Sequence, residues 1–361
     1  MNKNFWNELA AQGPIVALAP MDGYCDSAFR QVNKTIAPNM IPFSEFYSAD
    51  GLVHSKDLAK RVLPHADIEK PLIIQIFGKD PEKFRQAAIL IESYGVSGID
   101  INMGCPAKKV VKSGHGSSLM INRDTAFKIV EEMAKAVKIP ISVKTRLGWE
   151  NHDLLVEFCK GLENAGANLI TVHGRTYKQA FTGKADFTGI YNLKQHLNIP
   201  VIANGDVMDY DDGAKKIIHP SNRNQIIYPD DTPLLGLGGS MKNLDGFMIG
   251  RASFGNPWCF LPGSYCPTLE EILVTMELHA RLLIDTKGPK GALEIRKHLV
   301  QYLRGFPGVK LYRTRLVHTE TLDDVFGVTA DIRREHANLL TMPLEKSTEA
   351  AFTEAWDQCN G

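Results

Sequence analysis

The chain has 361 residues, 44% of them hydrophobic and 23% charged, with a formal net charge of +0. This is a globular composition, long enough for two domains or for one barrel plus an appendage, and any affinity for a polyanion must come from a local patch. Six scattered cysteines (25, 105, 159, 259, 266, 359) without a C-x-x-C pair argue against a zinc ribbon and a disulfide framework, and without an apolar run near about 18 residues or a long apolar leader the expectation is a soluble, cytoplasmic protein.

Short apolar runs recur along the chain, each ending in polar residues or glycine. Ile15 to Leu18 stops at Ala19-Pro20-Met21-Asp22-Gly23, and a helix is expected from Asp26 to about Thr35, capped by Asp26 or Ser27. Ile41 to Phe46 is the second strand and contains Glu45 near its end. Leu72 to Phe77 is the third, with Gln75 inside it; Asp80-Pro81 then opens a helix. Gly98 to Asn102 is the fourth strand, followed by a helix from Thr125 to Val137. Ile141 to Thr145 is the fifth, with Lys144 near its end, and a helix from Leu154 to Ala165 stops at Gly166. Leu169 to Val172 delivers His173-Gly174-Arg175, Val201 to Ala203 delivers Asn204-Gly205-Asp206, and Phe247 to Ile249 delivers Gly250-Arg251. Nearly continuous apolar strands alternating with helices imply a parallel sheet buried on both faces. Eight such units in about 250 residues match an α/β fold, the (β/α)8 TIM barrel, better than a doubly wound open sheet.

The chain changes character after the breaker-rich stretch around Pro262. Only helical periodicity follows: Leu269 to Thr286, Lys290 to Leu303, Thr321 to Phe326 and Thr329 to Leu340. The division expected is a barrel over residues 1–262 and a small all-helical domain over 263–361. Residues 219–242 form a long Pro/Gly/Asn/Asp-rich insertion before the eighth strand.

The stretch from Gly98 to Leu119 organises the rest. A strand that runs into Asn102, Gly104, Cys105 and Pro106 places a thiol at a strand's C-terminal end, the face where barrels carry their chemistry. Asp22, Glu45, Gln75, Asn102, Lys144, His173, Arg175, Asn204, Asp206 and Arg251 converge there as well. Each has a bland reading alone: Cys105 as a small buried residue, Gln75 as a core amide, Lys144 as the partner of a barrel carboxylate, His173 as a packed histidine. Nearly every strand ending in this way weakens those readings. Asn204-Gly205-Asp206 and Gly250-Arg251 occupy the seventh and eighth strand ends, where barrels often bind phosphate, and Arg251 can add a bidentate contact. No dinucleotide fingerprint, Walker sequence or metal-ligating histidine spacing occurs, so no metal is expected.

The motifs A-P-M-D (19–22), Q-I-F-G (75–78), D-I-N-M-G-C-P-A-K-K-V (100–110), V-K-T-R-L-G-W (143–149), V-H-G-R-T (172–176), V-I-A-N-G-D (201–206) and F-M-I-G-R-A-S-F-G-N-P-W (247–258) resemble those of the tRNA-dihydrouridine synthases, most of all the bacterial B-type members. I-R-K-H (295–298) resembles that family's helical RNA-binding domain. The resemblance implies an enzyme that binds FMN in the barrel mouth, takes hydride from NADPH or NADH, and reduces uridine in tRNA, here weakly pointing to the D-loop. It implies that Pro20, Met21, Asp22, Gln75, Lys144, His173, Asn204, Gly205, Asp206, Gly250 and Arg251 hold FMN, that Cys105 donates the proton, and that Asn102 contacts the target uracil. A thiol of reference pKa about 8.5 stays protonated near neutrality and suits that role.

Between Lys287 and His318 the cations Lys287, Lys290, Arg296, Lys297, Arg304, Lys310, Arg313 and Arg315 face a single acid, Glu294. A local basic surface of this kind suits phosphate-backbone contacts, with Arg296 and Lys297 as tRNA contacts. Arg175 is a further expected substrate contact, and Lys108 and Lys109, with Lys112, extend the surface beside Cys105. A monomer is expected. Two other functions compete: an FMN barrel dehydrogenase acting on a free pyrimidine such as dihydroorotate, which needs no RNA clamp, and a non-catalytic RNA-binding protein, against which Cys105, Lys144 and His173 argue.

Overall fold

The computed structural model describes residues 4–107, 114–222 and 241–344. Eight parallel strands close into a barrel in sequence order: β1 (Ile15–Leu18), β2 (Ile41–Ser48), β3 (Ile73–Phe77), β4 (Gly98–Asn102), β5 (Ile141–Arg146), β6 (Leu169–His173), β7 (Val201–Asn204) and β8 (Gly246–Ile249), with β8 returning to pair with β1. This is the (β/α)8 barrel expected from the pattern of apolar runs, and a helical C-terminal region follows it. β4 has the expected bounds; β2 and β5 run one or two residues further into their polar ends.

Alternation along each strand separates two surfaces. Ile74, Ile76, Ile99, Ile101, Ile141, Val143, Ile170, Val172, Val201, Ala203, Phe247 and Ile249 pack outward against the helices. The other parity points inward. At the bottom, Ile15, Ala17, Phe43, Ile73, Leu169, Ile202 and Met248 form an apolar plug with Phe5 and Trp6. Those two come from a helix the periodicity did not signal, Phe5–Gln12, which closes the barrel floor with Trp6 stacked on Phe43. Above the plug the inward positions turn polar: Gln75, Asp100, Ser142 and Thr171 are all fully buried. Asn102, Lys144, His173 and Asn204 form the layer above them. In neighbouring strands Gln75 pairs in register with Asp100, Asp100 with Ser142, Asn102 with Lys144, and His173 with Asn204.

The helices begin where caps were legible. Asp26 accepts from Phe29 N to start Ser27–Ile36, Asp80 precedes Pro81–Ser93 with Pro81 at its first position, and Gly166 ends Leu155–Ala165 in the left-handed conformation at φ 112°. In the C-terminal region, Thr268 and Glu271 form a capping box for Leu269–Lys287.

Two expected boundaries there change. The segment read as Lys290 to Leu303 is two helices, Pro289–Glu294 and Arg296–Tyr302, separated at Ile295. The two helices read on either side of Gly327 are one, Leu322–Glu335, followed by a short turn at Ala337–Leu339; a Cβ at Gly327 would meet nothing within 4 Å, so this glycine neither packs closely nor breaks the helix. Val309–Leu316, with only Tyr312 and Leu316 buried, carried too little periodicity to be recognised. This region has its own apolar cluster, built on Leu269, Leu273, Met276, Leu299, Leu316, Val325 and Ile332, which reaches Ala28 and Trp258 of the barrel. Of the 219–242 insertion, residues 223–240 lie outside the described residues; the flanks meet where Asn222 Nδ2 donates to Met241 O and Asn243 Oδ1.

Candidate active site

The barrel mouth opens into a cavity of about 840 Å³. Pro20, Met21, Asp22, Asn102, Cys105, Lys144, His173, Arg175, Asn204, Gly205, Asp206, Gly250 and Arg251 all line it, so thirteen residues named from six strand ends share one wall. Lys144 Nζ donates to Asn204 Oδ1 at 3.0 Å, and Asn204 Nδ2 donates to Met248 O at 2.9 Å. Burial, with the Arg146 guanidinium nearby, lowers the Lys144 ammonium to about 8. His173 is held neutral: burial and then the charges of Lys144, Arg146, Arg175 and Arg251 push it well below the usual imidazole range. Its Nδ1 is buried and has no hydrogen-bond partner among the described residues. A buried donor or acceptor left in that state is costly, which fits a group that completes it from the cavity side.

The seventh and eighth strand ends offer backbone to the same space. Gly205 has φ 113°, and a Cβ there would approach Ala185 Cβ to 2.9 Å; no side chain fits without displacing the loop. Asp206 follows at φ 49°. Its strained backbone is secured by a bidentate ion pair with Arg175, at 2.7 and 2.9 Å, and by Ala185 N at 2.8 Å. Burial raises the Asp206 carboxyl, but Ala185 N–H and Arg175 outweigh it and hold it below the usual range. Arg175 supports this loop at a second point. Its guanidinium also donates to Gly183 O at 2.6 Å and is nearly inaccessible, so it holds the loop that shapes the wall.

Cys105 is half-buried at the rim. Asn102 Oδ1 accepts from Gly104 N at 3.1 Å and Cys105 N at 2.9 Å, and Ser117 donates to Cys105 O through both N and Oγ. Burial raises the thiol pKa above its ordinary value, against lowering by the Ala107 N–H and by Arg146. The thiol is therefore protonated at neutral pH.

Gln75 stands apart from the expectation for it. It is fully buried beneath the wall, with its amide nitrogen on Asp100 Oδ2 at 2.6 Å and its oxygen accepting from Asn102 Nδ2 at 2.8 Å. Glu45 lies behind the Asp22 turn, accepting from Gly23 N at 2.6 Å.

Four residues that sequence reasoning did not single out also line the cavity: Arg146, Phe181, Tyr24 and Gln301. Arg146 joins two loops, donating to Gly104 O at 2.7 Å, Thr176 O at 3.1 Å and Ala180 O at 2.7 Å. Its guanidinium lies 5.6 Å from the centroid of the Phe181 ring, which stands 65% exposed at the mouth. The arginine lies inside V-K-T-R-L-G-W, so the motif contained the signal. Gln301 comes from the helical region, which thereby contributes to the rim.

The basic cluster of that region is less free than its sequence suggests. Lys287 pairs with Asp26 of the barrel and with Glu294, both at 2.7 Å. Arg315 pairs with Asp331 at 2.7 Å. Arg304 donates to Gln301 O and Phe254 O. Arg296 Nε donates to Thr319 O, and Lys297 donates to Gly23 O with its ammonium 4.9 Å from the Tyr24 ring centroid. Glu294 is the one acid within this stretch, and Asp26 and Asp331 from outside it supply opposite charge to Lys287 and Arg315. Lys108 and Lys109, with Lys112, lie outside the described residues.

A parallel barrel whose strand ends surround one cavity with a cation pair, a neutral histidine and a protonated thiol is the architecture of a barrel enzyme. The dihydrouridine synthase family model matches residues 17–222 and 239–338. A probable tRNA-dihydrouridine synthase 1 of Synechocystis sp. is 34% identical over 86% of this chain and 83% of that protein. The tRNA-dihydrouridine synthase B of Pseudomonas aeruginosa is 32% identical over 88% of this chain and 91% of that one. Among solved structures, an old yellow enzyme homologue from Zymomonas mobilis matches at a TM-score of 0.45 and 12% identity, over 67% of this chain and 86% of that chain, a likeness too loose to bear on function. The chain belongs to the dihydrouridine synthase family and is an oxidoreductase. The matched segments leave out residues 223–238, within the insertion.

Proposed function

We propose that this protein reduces uridine in tRNA to 5,6-dihydrouridine, with FMN in the barrel mouth and NADPH or NADH as the reductant. The observation that carries the reading is the half-buried, protonated Cys105 beside a cavity that already holds Lys144, a His173 nitrogen without a partner among the described residues, and two backbone-lined strand ends. These residues fit a flavin phosphate and ring: Asn204, Gly205, Gly250 and Arg251 would hold the phosphate, and Lys144 and His173 would face the ring with Met21 against it. When bound, FMN supplies the hydride that adds to C6 of uracil.

The protein's own part is positional and acid–base. Cys105 gives its proton to C5 as a general acid, and its raised pKa keeps that proton in place until transfer. Lys144 presents a positive charge toward the cavity, where negative charge is stabilised without reorganisation. Asn102 has one amide hydrogen left for the substrate after donating to Gln75. The base must leave the RNA stack to reach this depth. Gln301 lies on the helical side of the same rim, Lys297 sits beside the rim residue Tyr24, and these two with Arg296 would meet the RNA backbone. B-type likeness favours a D-loop uridine, and one chain with its two regions supplies every residue invoked, in keeping with a monomer.

The test is to incubate the purified protein with NADPH and unmodified tRNA, and separately with free uracil and dihydroorotate. Bound FMN near one per chain and gain of two hydrogens at one tRNA uridine are expected, and mass spectrometry of tRNA from a deletion strain identifies the position. Turnover of a free pyrimidine but not of tRNA would replace this reading with that of a small-molecule dehydrogenase.

A further inference from the structure

Beneath the cavity wall lies a carboxylate that the chemistry above does not use. Asp100 is fully buried inside the barrel, with Ser142 Oγ donating to its Oδ1 at 2.6 Å and Gln75 Nε2 to its Oδ2 at 2.6 Å. The chain of hydrogen bonds continues upward. Gln75 Oε1 accepts from Asn102 Nδ2 at 2.8 Å, and Asn102 Oδ1 accepts from the N–H groups of Gly104 and Cys105. We propose that Asp100 is a positioning residue for the reaction, holding the Cys105 loop in place through Gln75 and Asn102.

The direction of the chain follows from what each group can do. An ionised carboxylate only accepts, so Gln75 must turn its amide nitrogen down and its oxygen up. Asn102 must then present its nitrogen to Gln75, which leaves its oxygen for the two backbone donors. The far end agrees, because backbone N–H groups only donate. Every side chain in it, from Ser142 and Asp100 through Gln75 to Asn102, is buried, Asn102 at 7% exposure being the most open, so water does not readily replace a missing link among them. Burial raises Asp100 to about 6, with Ser142, Gln75 and Lys144 holding it down, and it is therefore mainly ionised at neutral pH. Chains of this kind stiffen when complete and lose much of their value when one link is missing.

The experiment uses the flavin-loaded protein as purified and follows alkylation of Cys105 by iodoacetamide, read on its own peptide by mass spectrometry. Asp100→Ala removes the base of the chain. Alkylation of Cys105 should speed up by roughly 5–30-fold, the population change expected for one or two lost buried hydrogen bonds. tRNA turnover should fall by about 10–100-fold, the cost of misplacing a reacting group by about 1 Å, while flavin reduction by NADPH keeps its rate. Asp100→Asn should return alkylation close to the wild-type rate, since its amide oxygen still accepts from Gln75 and its nitrogen can donate to Ser142.

Unchanged alkylation in Asp100→Ala would overturn the proposal. So would an Asp100→Asn variant as impaired as the alanine one, or an equal loss in flavin reduction; either outcome would mean that Asp100 acts by its charge on Lys144. If Asp100→Ala does not fold, Gln75→Met breaks the same chain one link higher and must speed alkylation; an unchanged rate there overturns the proposal too. The effect on turnover rests on Cys105 as proton donor, whereas the alkylation readout does not. Full tRNA turnover in Cys105→Ala, with the alkylation results as stated, would remove the proton-donor reading and leave the positioning role standing.

Discussion

Lys144 at the end of β5 donates to Asn204 at the end of β7, spanning β6 at 3.0 Å. Asn204 is in turn held by Met248 O of β8, so a contact between two side chains ties together the strand ends that form one half of the cavity. The ammonium loses its charge as pH rises through about 8. The rate of flavin reduction by NADPH should therefore fall on the alkaline side of pH 8. Lys144→Met should be slow at every pH and lack that limb. Stopped-flow traces across pH 6.5–9.5 (a range bracketing the value of about 8) check this, and an alkaline limb that survives in the variant would refute the assignment.

Cys105→Ala should keep its FMN and accept hydride from NADPH at the normal rate. Reduction of tRNA should drop by about 10²–10⁴, the range for loss of a general acid. Single-turnover measurement of the reduced enzyme with tRNA separates the two half-reactions. Normal transfer to tRNA would exclude the thiol as proton donor.

Arg146→Met should uncouple the Cys105 loop from the loop that carries Phe181. Three carbonyls, those of Gly104, Thr176 and Ala180, lose their donor. We expect a loss of about 1–3 kcal/mol in stability, the cost of one buried acceptor left unmet, since Thr176 O is buried whereas the Gly104 and Ala180 carbonyls are only partly buried and can turn to water. A denaturant titration measures it. Faster proteolysis within residues 177–183 should accompany the loss, and unchanged stability would mean that the carbonyls find other donors.

The junction between barrel and helical region should be sensitive to acid. His279 and His298 face each other with ring centroids 4.6 Å apart, packed among Phe29, Tyr24 and Tyr302. Their Nε2 atoms have no partner among the described residues. Asp26, Lys287 and Lys297 are the charged groups near them. Burial lowers His279 to about 4, and burial with its neighbours' charge pushes His298 well below the usual range. The unfolded chain binds these protons from about pH 6.5 downward and the folded protein does not. Stability should thus be full above that pH and decline as pH falls toward 4, by at most about 1.4 kcal/mol per pH unit for each histidine. His298→Phe should flatten the slope between pH 7 and 5; an identical slope would place the acid sensitivity elsewhere.

Neutralising Arg296 and Lys297 together should weaken tRNA binding and lower the slope of log K against log salt by roughly 0.7–0.9 per lost phosphate contact. FMN content and NADPH oxidation by a small acceptor should not change. The same affinity and slope in the double variant would mean that both residues serve only the contacts seen with Thr319 O and Gly23 O.

Much of the fold was legible because a barrel strand is a short apolar run and its C-terminal end is polar. That combination located all eight strands, to within two residues, and named eleven residues of the cavity wall, to which the family resemblance added Pro20 and Met21. It was silent on the floor. The helix Phe5–Gln12 is eight residues long and buries only Phe5 and Trp6, too little for a periodic signal. It was silent as well on the link between β3 and β4, where Gln75 and Asp100 belong to one hydrogen-bond chain beneath the wall.

The amino-acid sequence by itself determined the order of the strands, the chemistry at their ends and the family, since burial pattern and motif are local properties of the chain. Only the tertiary structure decided which group each charge meets. Lys287 finds Asp26 across 261 positions, Arg175 closes on Asp206, and Arg146 binds carbonyls of two separate loops. Those choices set acids against part of a surface that had looked uniformly basic and gave Arg175 a place in the support of the cavity wall. The physical reason is that periodicity reports whether a side chain is buried, whereas a charge or an amide is defined by its partner, and in a closed barrel the partner comes from another strand.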